Sequence, residues 1–323
     1  MCHKTLFKFE IKGSFFLILL SKNCIFFPKF FHFPYILFTF IKCPPIWLSK
    51  ILIILSAVLS FMVAVGLMFR LALLLHMLIF TYYFFIEQAF YLNHHYAVIL
   101  LEFSLLFTNA HAKFSFDSLI KKNPIIIRNW HIYLLQFQVF IIYTYGAIAK
   151  INFDWLQGWP LKMWLYKSYD YFPFKQLFAL PHAPFIMSYS GIFIDLFVIP
   201  MLLSKRFFKL GLFLSFSFHL TNFSIFNIGI FPGMMISSCI LFFKDSFFTE
   251  KLNFKKYNFK PETKKLPSVV QFFLLSFFLY NTLFPLRHHL IKENVAWTEE
   301  AHNFSWRMKL RSKRAVDSKL KFI

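Results

Sequence analysis

The chain has 323 residues, of which 58% are hydrophobic, 51 are Phe and only 15% are charged. A soluble domain of this length has too little interior to hide so much apolar side chain, so the composition predicts an integral membrane protein. The formal net charge is +21. The cations collect between apolar runs, at 205–209, 244–265 and 307–321. Loops that face anionic lipid have this pattern, so the charge indicates a lipid bilayer as partner and excludes nucleic acid.

Uncharged or nearly uncharged runs predict the membrane helices in chain order. Residues 1–24 are irregular, and the apolar run inside them is too short to cross a bilayer, so we interpret them as a degraded first helix. The later runs approach the roughly 20 residues that span the hydrocarbon core. They lie at 51–69, 71–86, 96–110, 130–149, 183–204 and 266–286.

One further run, 210–243, is too long for one helix and too short for two. It contains the turn-forming or amide residues Asn222, Asn227, Gly229, Pro232 and Gly233. Gly and Pro interrupt helices and free backbone groups that must be satisfied inside protein, so we predict a re-entrant or broken segment around 220–235. The fold class is therefore all-α, a polytopic bundle of about six to eight transmembrane helices.

Ionisable groups inside a membrane helix are costly, so each is a candidate functional residue. The candidates are His94, His95, Glu102, His111, Asp195, His219, His288 and His289. His95 and Glu102 are seven residues apart on one helix face, and we interpret them as a buried structural couple.

The sequence predicts no metal site. Membrane di-iron enzymes place histidines three or four residues apart so that the ligands share a helix face, and no two histidines of this sequence have that spacing. The four cysteines form no CxxC pair, so neither a zinc site nor a redox dithiol is indicated.

Lys150 ends the uncharged run 130–149, and the nearest acid in the sequence is Asp154. Two interpretations stay open. The amine can extend to the lipid headgroups, as lysines at helix ends do. Alternatively, a dry pocket disfavours its ammonium form, and the neutral amine then serves as a base at neutral pH.

Four segments in order carry a family resemblance. The first, YLNHHYAVILLEFSLLFTNAHAKFSFDS, has an Asn-His pair that starts a helix and a polar turn that ends it. The second, YGAIAKINFDWLQGW, has small residues, a lysine and a following Asp-Trp pair. The third is FSFHLTNFSIFNIGIFP, with a His-x-x-Asn element. The fourth is LFPLRHHLIKENVAWTEEAHNFSWRM, and the four begin at residues 91, 145, 216 and 283.

These segments resemble the vitamin K-dependent gamma-glutamyl carboxylases and their bacterial relatives that share the HTTM-type membrane domain. The resemblance covers residues 25–310 as one transmembrane domain and leaves 311–323 as a basic tail. The WT and FSWRM pieces of the fourth segment are similar to bacterial members. This similarity implies a bacterial inner membrane, rather than the endoplasmic reticulum, as the location.

The resemblance implies a reaction that starts at Lys150. This lysine would deprotonate reduced vitamin K, a naphthohydroquinone, whose anion reacts with O2. The strong base so formed takes the gamma proton of a protein glutamate, CO2 captures the carbanion, and vitamin K epoxide remains. A glutamate-containing protein or peptide is the implied substrate, and no metal ion takes part.

The resemblance also assigns the other site residues. His94 is implied in the carboxylation step, and Asn93 is expected to orient it. The residues expected around the quinone pocket are Asn93, Asp154, Trp155, His219 and His288.

A departure from the family pattern leaves two hypotheses. The chain ends 15 residues after Met308, whereas vertebrate carboxylases continue into a large extramembrane domain that carries much of the substrate recognition. Epoxidation is therefore better supported than carboxylation. The rival hypothesis is a non-catalytic HTTM-type membrane protein that binds a quinone, a lipid or a partner membrane protein.

Overall fold

A computed structural model describes most of the chain. The described residues are 35, 38–88, 91–112, 115–120, 129–168, 176, 179–226, 228–244, 247, 266–292, 295–308 and 310. The expectations for 1–24 and for 311–323 lie outside them. All regular secondary structure in the described ranges is helical, which confirms the predicted fold class.

The described residues form twelve α-helices. They are α1 (Ile46–Val65), α2 (Phe69–Ile86), α3 (Asn93–Leu106), α4 (Phe116–Ile120), α5 (Asn129–Lys150), α6 (Phe153–Leu156), α7 (Trp159–Ser168), α8 (Ala183–Leu203), α9 (Phe208–Ile225), α10 (Phe231–Ser238), α11 (Ser268–Leu283) and α12 (Val295–Thr298). Short 3-10 helices occupy Ala110–Ala112, Cys239–Phe242 and Phe284–Leu290.

Five helices in the described part of the chain are long and apolar enough to cross a membrane. They are α1, α2, α5, α8, and α11 together with the 3-10 turn that continues it. Each lies on a run that the sequence predicts, and the predicted run at 96–110 forms the shorter α3. The protein is therefore a multi-pass membrane bundle, while the total of about six to eight crossings stays a prediction.

The predicted break in the long apolar run is present. α9 ends at Ile225 and α10 begins at Phe231. Gly229 has φ +60 between them, a left-handed conformation that costs glycine little. Pro232 lies in the first turn of α10, where a missing backbone N–H interrupts no helical hydrogen bond.

α5 is the central helix of the bundle. It packs against α3 and α8, and it also contacts α11. A larger share of α5 is buried than of any other of the five candidate spans. Its inward face includes Ile142 and Ala147, which are almost completely shielded. The final residue of α5 is Lys150, so this lysine lies at the end of the most buried of the five candidate spans.

A buried pair of polar side chains links α2 to α3. His76 Nδ1 lies 2.9 Å from Glu102 Oε1, and both residues are almost fully buried. The sequence suggested His95 as the partner of Glu102 because the two share a helix face. His95 instead lies with its ring near Phe80. The partner of Glu102, His76, lies on a neighbouring helix. The spacing of residues along α3 alone cannot identify such a partner.

The start of α2 is capped from a distant part of the chain. The Asp117 carboxylate of α4 accepts hydrogen bonds from the backbone N–H groups of Met68 and Phe69, each at 2.9 Å. These donors have no partner inside the helix, and an anion also interacts favourably with the positive end of the helix dipole. Asp117 therefore fixes the tight turn between α1 and α2.

We expect Asp117→Ala to destabilise the protein by about 1 kcal/mol, since it leaves two helix N-terminal donors without their acceptor. Thermal unfolding in detergent would measure the loss. Glu300→Ala, which changes an exposed acid, serves as the control. Equal unfolding temperatures for the two variants would show that the cap contributes nothing.

Candidate functional site

Lys150 lies inside the protein. Its residue exposure is 8%, and its Nζ forms an ion pair with Oδ2 of Asp195 on α8. The same Nζ lies 3.4 Å from the carbonyl oxygen of Gly146, one helical turn earlier. The side chain is thus held between α5 and α8 and does not extend to the surface.

The acid that meets Lys150 is distant in sequence. Asp195 is 6% exposed and occupies the middle of α8. Asp154, the nearest acid in sequence, is exposed. Packing of α8 against α5 creates the pair, so sequence proximity could not identify it. The available signal was the presence of an acid inside an otherwise apolar run, which marked Asp195 as a candidate.

Gly146 leaves the space that the ion pair occupies. A Cβ at this position would lie 3.3 Å from Asp195 Oδ2 and 3.9 Å from Lys150 Nζ. It would also lie 3.7 Å from the terminal methyl of Met308. Small residues let membrane helices approach closely. The absence of a side chain at Gly146 therefore lets the Lys150–Asp195 pair fit between α5 and α8.

The Trp155 ring lies beside the Lys150 amine. The lysine Nζ lies 5.7 Å from the centroid of the Trp155 ring, within the range of a cation–π contact. The indole Nε1 donates to the Ser188 carbonyl at 3.1 Å, and the Ser188 hydroxyl donates to the Trp155 carbonyl. Asn152 caps α6 by accepting from the Trp155 backbone N–H at 3.0 Å. These bonds fix the indole next to the amine.

A second polar cluster lies between α5 and α9. The Tyr143 hydroxyl lies 2.7 Å from His219 Nε2 and 3.4 Å from the Ser215 hydroxyl. Tyr143 precedes Lys150 on α5 by about two helical turns, so the cluster and the ion pair lie along the same face of this helix.

His219 carries a polar atom with an unused hydrogen-bonding capacity. The residue is 1% exposed, and its Nδ1 has no hydrogen-bond partner among the described residues. Leaving a buried polar atom unsatisfied costs about 1–3 kcal/mol. A bound ligand can supply the missing hydrogen-bond partner of a buried polar atom such as His219 Nδ1.

His94 faces the break between α9 and α10. Its ring Nε2 lies 3.5 Å from the position that a Cβ on Gly229 would take. The Phe231 ring lies near both histidines, with its centroid 6.5 Å from that of His94 and 6.1 Å from that of His219. The broken segment thus brings His94 to the apolar edge of the site.

Asn93 has contacts other than those expected of it. Its Oδ1 accepts from the Tyr91 hydroxyl at 3.0 Å, and its Nδ2 donates to the Arg307 carbonyl at 3.4 Å. The Tyr91 hydroxyl in turn accepts from the Phe304 backbone N–H at 2.6 Å. Through these bonds Asn93 holds the C-terminal segment against the start of α3.

His288 lies in the 3-10 turn after α11. Its Nδ1 is 2.7 Å from the Pro285 carbonyl, and its ring packs on that of His289 at 4.0 Å. It is half-buried. Its described contacts are thus separate from those of Lys150 and His219.

The C-terminal segment reaches the site, which sequence reasoning did not indicate. Besides the approach of Met308 to Gly146, Leu310 packs in a cluster with Ala149 and Trp155. Trp306 is completely buried in the main core. Residues from the end of the chain therefore close the space around the ion pair.

Arg287 holds this segment in place. Its guanidinium donates to the carbonyl of Asn303 and, at 3.2 Å, to the hydroxyl of Ser305, and it stacks 4.1 Å above the Phe284 ring. Left-handed backbone conformations occur in the segment at Glu299, Ala301, Phe304 and Trp306. Non-glycine residues adopt these conformations only when their surroundings enforce them.

The described residues contain no group of three or more His, Cys, Asp or Glu side chains arranged to hold a metal ion. The site instead offers an amine–carboxylate pair, an unpartnered imidazole nitrogen and the aromatic rings of Trp155 and Phe231. This set suits a flat apolar molecule that carries polar oxygens, because the rings pack on its faces and the polar atoms meet its edges.

Two family models match the chain. The one described as HTTM domain covers residues 15–247, and the one described as vitamin K-dependent gamma-carboxylase, lumenal domain covers residues 266–322. No solved structure matches. The first match contains the ion pair and both histidines of the site. The second begins just before α11 and contains Met308, so the site combines residues from both matched regions.

We expect Gly146→Val to destabilise the protein by about 1–3 kcal/mol, because the added methyl groups enter the space of the ion pair. Thermal unfolding in detergent measures the change. Gly233→Val is the matched control, since a Cβ at Gly233 meets no atom within 4 Å. Equal losses for both variants would contradict the close packing at Gly146.

Proposed function

The chain belongs to the HTTM family, and we propose that it is a membrane enzyme that acts on reduced vitamin K in the manner of the gamma-carboxylases. The observation that carries this proposal is the buried Lys150 at the end of the central helix, whose amine lies against Asp195 and beside the Trp155 ring. The lumenal-domain match supports the carboxylase type, and the apolar helices support a substrate that enters from lipid.

The residues of the site fit a reduced naphthoquinone. This group supplies a weakly acidic hydroxyl whose anion is reactive toward O2. His219 Nδ1 would hydrogen-bond to one of its oxygens, and Lys150 Nζ would meet another. Trp155 and Phe231 would hold the ring by apolar contact, since both lie beside these polar groups.

Lys150 is proposed as the base of the reaction. Its Nζ accepts the proton of the substrate hydroxyl, and the ammonium ion then stabilises the negative charge left on the oxygen. Burial of this lysine and of Asp195 keeps water away from the site. Exclusion of water also protects a strong base from being quenched by solvent protons.

His94 and Asn93 are proposed to serve the second half of the reaction. His94 is half-buried at the edge of the site, where a glutamyl side chain could approach, and it would assist carboxylation of that side chain by CO2. Asn93 anchors the C-terminal segment beside it. The Lys150 cluster supports the epoxidation directly, so epoxidation remains the better supported half. The location in a bacterial inner membrane stays a prediction.

A non-catalytic quinone-binding protein is the second candidate function. It is favoured by the ion pair itself, because an ammonium ion held by a carboxylate is not a base. The His219 nitrogen and the aromatic rings would bind a quinone equally well in this case. The two functions differ in whether turnover occurs and whether it requires Lys150.

We expect Lys150→Ala to lower vitamin K epoxide formation by about 10²-fold or more, the range typical of a lost general base. The assay supplies reduced vitamin K, O2 and bicarbonate to the purified protein in nanodiscs, with a glutamyl peptide and labelled CO2 to detect carboxylation. Lys209→Ala, which changes an exposed lysine of α9, is the control. Quinone binding without any epoxide from the wild-type protein would favour the binding function.

We expect His219→Phe to raise the KM for reduced vitamin K about tenfold, because it keeps the ring shape but removes the nitrogen that would bind a substrate oxygen. His289→Phe, at an exposed position, controls for the loss of an imidazole. An unchanged KM in folded His219→Phe protein would remove His219 from the substrate site.

A further inference from the structure

The ion pair determines where the Lys150 ammonium group can release its proton. If Lys150 is to accept a proton, its amine must first be neutral, but the structure holds Nζ directly against the Asp195 carboxylate. The lysine is buried, so release of its proton to bulk water is hindered. The nearest acceptor is the oxygen that Nζ already contacts.

We propose that Asp195 is the proton acceptor of the site and acts through Lys150. This inference rests on the proposed function of Lys150 as the base. A proton passes from Lys150 Nζ to Asp195 Oδ2, which frees the amine lone pair. The carboxylic acid then stays beside the amine while the substrate is deprotonated.

The two proton transfers balance in atoms and in charge. First an N–H bond of Lys150 breaks and an O–H bond forms on Asp195, so an ion pair becomes a neutral pair. Then the substrate O–H bond breaks and a new N–H bond forms on Lys150. The ammonium ion ends opposite the substrate anion, and Asp195 ends neutral. The buried site carries no net charge at any stage.

The surroundings of the pair favour such a transfer. Moving two charges out of water is costly, so the neutral pair can approach the ion pair in free energy in a dry interior. Two further titratable groups, Tyr143 of α5 and His219 of α9, lie on helices that pack against α8. Both belong to the neighbouring hydrogen-bonded cluster, in which the Tyr143 hydroxyl already meets His219 Nε2.

The other acids close to the site or buried in the bundle are poor candidates. Asp154 is exposed, Glu102 pairs with His76 between α2 and α3, and the buried Glu87 lies at the end of α2. Asp195 is the acid that contacts Lys150 in the described residues. Its place on α8 also explains why the helix carries an acid at membrane depth, where an unpaired charge would be strongly unfavourable.

Infrared difference spectroscopy tests the protonation state without turnover. Reduced vitamin K is added to the wild-type protein in nanodiscs without O2, and the spectrum is compared with that of protein labelled with a carbon isotope at the aspartate carboxyls. We expect a protonated carboxyl band that shifts on labelling and is missing in Asp195→Asn. Formation of the substrate anion without a protonated carboxyl band would overturn the proposal.

Epoxide formation by Asp195 variants provides the second test. Asp195→Asn should lower the rate of repeated turnover at about pH 7 by about 10²-fold, because the proton that Lys150 takes from the substrate then has no acceptor inside the site, and the remaining rate should rise with pH as hydroxide removes this proton. Formate should restore part of the rate in Asp195→Ala by entering the vacated space. Glu102→Gln, which alters a buried acid outside the site, controls for loss of stability and should keep the wild-type pH profile.

The outcomes separate this inference from the proposed function. If Lys150→Ala abolishes turnover while Asp195→Asn keeps the wild-type rate and pH profile, Lys150 is the base and the inference about Asp195 is wrong. If Lys150→Ala leaves turnover unchanged, the proposed function itself fails. Thermal unfolding of each variant establishes that it is folded. Asp195→Glu, which keeps a carboxylate, should retain more activity than Asp195→Asn.

Discussion

The close contact of α5 with α8 is the constraint on which the site depends. A glycine one turn before the end of α5 lets the Asp195 carboxylate reach the Lys150 amine. Neither charge could remain alone at this depth, because the bilayer offers no water to solvate it. Pairing thus allows two ionisable groups to be held in an apolar interior, and it also fixes how the two helices are aligned.

The break between α9 and α10 brings residues of this segment close to two histidines. A Cβ at Gly229 would lie 3.5 Å from His94 Nε2. The Phe231 ring lies 6.5 Å from the His94 ring and 6.1 Å from the His219 ring, measured between centroids. Irregular backbone at membrane depth is tolerated where it lines a protein interior, and here it places an aromatic ring near two imidazoles.

Much of the fold was predictable from the sequence, because apolar runs of bilayer length and helix-interrupting Gly and Pro residues are local signals. Lys150 and the two histidines of the site were also recognisable, as polar groups in apolar surroundings and through a family resemblance. The partners were not predictable. Asp195 meets Lys150, and His76 meets Glu102, only because helices distant in sequence pack together. Neither helical periodicity nor nearness in sequence encodes that packing.

The segment at 299–308 covers the ion pair, and it is synthesised later than the helices that form the pair. Its strained backbone is held by Tyr91, Asn93 and Arg287, and its Met308 closes the space beside the ion pair. A ribosome makes this segment after every helix that contributes to the site. During translation the charged pair would therefore exist before its cover, and the contacts of Met308 and Leu310 would form only after these late residues dock. Incomplete chains would thus hold the ion pair without this cover.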